Sequence, residues 1–193
     1  AKNASAVSDT VAAARARQVE MLNKDVGYNI SPKSWDAYPT IGAKQTFVTD
    51  KAGALGELGD LSKVAKGGDL TIPASRAASI EQKMGLNPGS LDGGFKIREV
   101  KGIKNMEPAS PMEGNHLFQG PGNHLPGGAP EMIIKPIPTV DAPGVKTILN
   151  VTVEADAANA AKAGASAAPK AGVPHAPTPT VPPTAPAAHR APA

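Results

Sequence analysis

Residues 94–100, GFKIREV, set Phe95 and Ile97 against Lys96 and Arg98. Alternation with a period of two marks a strand with one face on a core, so a half-buried strand is predicted here. Outward from it, residues 45–50 (QTFVTD) and 146–154 (KTILNVTVE) have the β-branched and aromatic content of strands. Residues 131–137 form a further expected strand, which Pro136 confines to a sheet edge or to an early end. A short strand is expected over 69–72.

The helices are expected earlier. Residues 5–24 are alanine-rich, with Ser8 or Asp9 able to cap them. Their apolar stripe is weak, so 1–24 reads as a solvated linker helix. Residues 51–66 place Leu55, Leu58, Leu61 and Val64 at helical spacing, against three interrupting glycines, and Gly67-Gly68 ends the run. Ser75 is a candidate cap for a helix over 76–84. Residues 27–44 read as a turn-rich entry containing Trp35, Tyr38, Pro39 and Gly42. Helices early and strands late give an α+β class with a small, mostly antiparallel sheet and a long Gly/Pro-rich loop.

Composition bounds the rest. Of 193 residues, 40% are hydrophobic and only 3% aromatic. The aromatic residues all fall between Tyr28 and Phe118, which places the core there and in the strands just after. After Glu154 the chain turns to Ala and Pro. Residues 155–193 therefore read as a low-complexity, disordered or polyproline tail, and 25–154 as the foldable unit. Without cysteine there is neither a disulfide nor a thiolate metal site. A net charge of +3 is too diffuse to argue nucleic-acid binding. No run approaches the roughly 20 apolar residues of a membrane span. The N-terminus has no apolar signal-peptide core, and the missing initiator Met leads us to expect a piece of a longer or processed protein.

Chemistry concentrates in residues 113–138, where Gly-Asn-His-Leu occurs twice, at 114–117 and 122–125. Glu131 follows a glycine-rich loop at the mouth of a strand and is a candidate carboxylate for general-base work or for stabilising a cationic sugar. The plainer reading is a solvent-facing residue at a sheet edge. His124 is a candidate acid/base, since imidazole titrates near neutrality; Asn-His in a turn is the plainer reading. His116 and His124 are eight apart, which matches no compact metal motif, so no metal is expected. The amides of Gly120, Gly122, Asn123, Gly127 and Gly128 can cradle phosphate, although neither a P-loop nor a dinucleotide fingerprint is present. Lys44, Arg76, Arg98, Lys101 and Lys104 are candidate grips for an anionic substrate, or simply a solvated basic face.

These stretches resemble the C-terminal effector modules of bacterial polymorphic toxins, and more loosely the ADP-ribosyltransferase/NAD-glycohydrolase branch. The resemblance rests on QTFVTD at 45–50 with the helix after it, and on Gly127-Gly128-Ala129-Pro130-Glu131 leading into the next strand. It covers about 90 residues. The family usually carries an Arg or His on its first strand; none lies in 45–50, so Lys44 or Arg98 would substitute. The resemblance implies cleavage of the nicotinamide–ribose bond of NAD as substrate, with no cofactor. Glu131 would stabilise the ribosyl cation, Phe47 or Trp35 would stack on nicotinamide, and the loop amides would hold the diphosphate. It also implies delivery into a target cell and a cognate immunity protein. Two other readings stay open: a metal-independent RNase toxin using His124 and Glu131, and a non-catalytic surface or structural module with the loop as an Ω-loop.

Overall fold

The computed structural model describes residues 2–110 and 129–156. Along the chain run α1 (Lys2–Lys24), β1 (Val26–Pro32), a 3-10 turn (Lys33–Ala37), β2 (Thr40–Ile41), β3 (Thr46–Val48) and α2 (Lys51–Leu55). There follow β4 (Gly68–Pro73), α3 (Ala74–Lys83), β5 (Phe95–Lys101), a second 3-10 turn (Ile103–Asn105), β6 (Met132–Ile134), β7 (Ile137–Pro138) and β8 (Val145–Glu154). The class is α+β. The main sheet has the order β1-β5-β8-β4, and β2–β7 and β3–β6 form two short ribbons. The sheet is mixed, because β4 runs parallel to β8 while β5 runs antiparallel to both of its neighbours, β1 and β8.

The strand of GFKIREV lies inside the sheet, and cores form on both of its faces. Phe95 and Ile97 pack with Tyr28, Leu149, Val151 and the α3 residues Ala77 and Ile80. Val100 packs on the other side with Val145, Ile41, Val48, Ile134 and Met21. One irregularity lets β8 serve both. Val100 pairs with Val145 and Arg98 with Thr147, but Ile97 pairs with Leu149, so Ile148 is an extra residue. Side chains alternate along a strand, and without this bulge Leu149 and Val151 would project with Val145 into the second core.

Several expectations are corrected. Residues 26–32 are a strand rather than turns, so strands do not come only late. The helix expected over 51–66 stops at Leu55; Asp50 caps it by accepting the Gly53 amide (2.8 Å). Glycines at 53, 56 and 59 make further propagation costly, yet Leu58 is buried and Leu61 and Val64 still pack on the first core from turns. Ser75 does not cap α3: Pro73 occupies the cap position, and the Ser75 hydroxyl donates to Asp156 (2.9 Å). The helix expected to be a solvated linker buries Ala14, Gln18 and Met21. At the α3–β5 connection, the buried Glu81 carboxylate accepts the Gly89 and Leu91 amides at 3.0 and 2.8 Å.

Candidate functional site

The site is built by the way β1 meets β3. Tyr28 and Thr49 exchange both backbone hydrogen bonds at 2.8 Å. Beyond that single bridge the two strands separate. The Asn29 side chain spans the gap, its amide donating to the Phe47 carbonyl (2.9 Å). Main-chain groups point to the same edge every second residue. The Ile30 amide and carbonyl therefore point the same way as those of Tyr28, toward an edge where β1 has no further strand partner among the described residues.

The gap is a cleft of about 140 Å³ whose lining includes Ile30, Trp35, Phe47, Thr49, Met84 and Ser90. That volume suits one six-membered ring and is too small for a dinucleotide, which would have to run out over the rim. Gly42 and Gln45 also line it. Gly42 has φ +78°, and a Cβ there would lie 2.1 Å from the Gln45 carbonyl oxygen, so the turn requires glycine. This turn carries the exposed Lys44. Phe47 and Trp35 are half-buried, with Phe47 also packed on the first core and Trp35 on the second.

Glu131 lies just behind this wall. The Thr49 hydroxyl, itself in the cleft lining, donates to the Pro130 carbonyl (2.7 Å). The Gln18 amide of α1 donates to the Glu131 carbonyl. The residue precedes β6 as expected, but it is 0% exposed rather than open at a strand mouth. Ala129 is also buried, its amide donating to the Lys83 carbonyl at the end of α3 (3.3 Å), next to Met84 of the cleft.

Arg98 occupies a different place. It is 0% exposed, and its alternation sends it to the face of Val100 rather than to solvent. Its guanidinium donates to the Ser31 hydroxyl (2.7 Å), to Asp36 (2.8 Å) and to the Thr139 carbonyl (2.8 Å). Lys96 also pairs with Asp36. Partial burial pushes the Asp36 carboxyl up, but the hydrogen bonds and charges of Lys96 and Arg98 outweigh it and hold the group below its usual range. The structure thus brings Phe47, Lys44 and the backbone of Glu131 to one neighbourhood and places Arg98 in a polar network of the second core.

His124, Gly122, Asn123, Gly127 and Gly128 lie outside the described residues, as do Glu113 and His116. Among the described residues no three His, Asp or Glu side chains converge as a metal site. No described helix is long and apolar enough to cross a membrane. Sequence reasoning missed Tyr28, Asn29, Ile30 and Thr49. Asn29 and Thr49 carried no apolar signal, and what Ile30 offers is main chain, which composition does not reveal. Tyr28 donates to Glu99 (3.1 Å), and burial, followed by the Glu99 charge and that hydrogen bond, pushes its phenol up to about 12. No family model matches the chain, and no curated protein or solved structure matches it.

Proposed function

We propose that the chain is an effector delivered into a target cell, where it cleaves the nicotinamide–ribose bond of NAD, and that the nicotinamide ring enters the cleft between β1 and β3. The observation that carries the reading is the cleft itself. It is the size of one ring, it lies between Trp35 and Phe47, and the Ile30 amide and carbonyl border it. A carboxamide offers an acceptor and a donor that match that pair. Lys44, exposed on the rim turn, is the residue this reading assigns to the diphosphate outside.

In this reaction the C–N bond breaks, nicotinamide leaves neutral with the bonding electrons, and C1′ becomes a ribosyl cation. Water adds to C1′ and loses a proton, or an acceptor nucleophile takes its place. Under this reading Glu131, whose main chain adjoins the cleft through the Thr49–Pro130 hydrogen bond, supplies the carboxylate for that cation. The reading assigns phosphate contacts to Gly122, Asn123, Gly127 and Gly128 and an acid/base role to His124, all outside the described residues. An effector of this kind acts with a cognate immunity protein in the producing cell.

The test incubates the 193-residue chain with NAD and, separately, with total tRNA. We expect nicotinamide release that falls about 100-fold or more in Glu131→Gln, with far-UV circular dichroism unchanged. RNA cleavage abolished by His124→Ala, without NAD loss, replaces this reading with the RNase one. Neither activity leaves the non-catalytic module.

A further inference from the structure

We propose that the aromatic groove beside the first 3-10 turn binds the proline-rich end of the same chain, residues 174–186. The groove encloses about 400 Å³ and is lined by Trp35, Tyr38, Pro39, Thr40, Gly42 and Ala43, with no charged side chain. Tyr38 is 63% exposed. Val140 is 71% exposed, and its neighbour Thr139 donates a hydroxyl hydrogen bond to the Tyr38 carbonyl (2.6 Å). Large exposed apolar side chains gathered around a groove mark a contact surface.

The geometry selects the occupant. Trp35 and Tyr38 are three residues apart at the end of a turn with about three residues per repeat, which brings their rings toward one side. A polyproline II ligand also repeats every three residues, and aromatic-lined grooves bind it at low entropic cost because it is already extended. The tail carries the spacing three times: Pro174-x-x-Pro177, Pro179-x-x-Pro182 and Pro183-x-x-Pro186. Residues 176–188, APTPTVPPTAPAA, contain no charge, matching the uncharged groove.

Reach is sufficient. From Asp156 to Pro179 a polyproline chain extends about 70 Å at roughly 3.1 Å per residue, about twice the diameter expected of a domain of this size. The groove shares Trp35 and Gly42 with the cleft, so docking of the tail is tested without NAD.

Trp35 is the single tryptophan and lines both the groove and the ring-sized cleft, so the signal is assigned to the groove through Tyr38, which lines the groove and not the cleft. The experiment measures acrylamide quenching of the full chain, without nucleotide, against a variant with Pro179, Pro182, Pro183 and Pro186 all changed to Ser. We expect the quenching constant to rise about twofold in the tail variant, as a covered indole becomes solvated. In the Tyr38→Ala background the same tail changes should add nothing, since the pair acts as one contact. Equal quenching with and without the tail prolines overturns the proposal. A difference that vanishes on dilution also overturns it, assigning the groove to the tail of a second copy.

Discussion

The two edges of β1 meet their neighbours in opposite ways. Toward β5 the strand is paired along its whole length, from Val26↔Lys101 to Pro32↔Phe95. Toward β3 it is paired once, at Tyr28↔Thr49, and then opens. The closed edge fixes the sheet and both cores. The open edge leaves Ile30 main-chain groups beside two aromatic rings. One seven-residue strand thus supplies rigidity on one side and a cleft on the other, and the split is set by its partners: β3 is only three residues long and turns directly into α2 at its Asp50 cap.

The comparison breaks most severely on the closed side. Phe95→Ala removes a fully buried ring from the first core and should cost about 4 kcal/mol in urea unfolding. Arg98→Leu leaves Ser31, the Thr139 carbonyl and part of Asp36 without their donor and should cost about 3 kcal/mol. The NAD contacts proposed at the cleft should survive wherever that variant folds. On the open side Gly42→Ala forces a left-handed backbone onto alanine and meets the Gln45 carbonyl. A cost of about 2 kcal/mol is expected, together with weakened ligand binding at the cleft.

Two smaller effects are read by pH. The Asp36 carboxyl is depressed in the folded state. Its stabilisation is therefore complete above the unfolded carboxylate value of about 4 and is lost as pH falls through the lower folded value. Asp36→Asn should flatten that acid limb in unfolding midpoints. Tyr28 is shifted the other way, to about 12. Its contribution is complete below about 10 and drains as pH rises through the folded value. Absorbance titration should place one phenol near 12, and Glu99→Gln should lower it. Tyr28→Phe should cost only about 1 kcal/mol.

Much of the closed side was legible in the sequence. The alternation of residues 94–100 identified β5 and the β-branched run at 146–154 identified β8, as a similar run identified β3 on the open side. The burial of Arg98 was not legible, because alternation separates two faces but does not say that both are covered. β1 was hidden for the same reason: Gly27, Asn29 and Ser31 face the second core, where Ser31 meets Arg98, so polar residues stood where apolar ones were sought. The leucines at 55, 58 and 61 suggested a long helix, although turns bring Leu58 and Leu61 to the core. On the open side Phe47, Trp35 and Lys44 were recognisable by residue type. The cleft between them arises from a strand pairing that stops after one bridge, and no residue type encodes that.

The most direct test follows the backbone amides of the uniformly ¹⁵N-labelled full chain by NMR while NAD is added to the Glu131→Gln variant, in which the proposal expects turnover to be slowed. The account expects the Ile30 amide, the Phe47 amide and the Trp35 indole to shift together and saturably, with the Arg98 side chain unmoved. Shifts centred on the Arg98 network, or no shift at millimolar NAD in a folded protein, would contradict it.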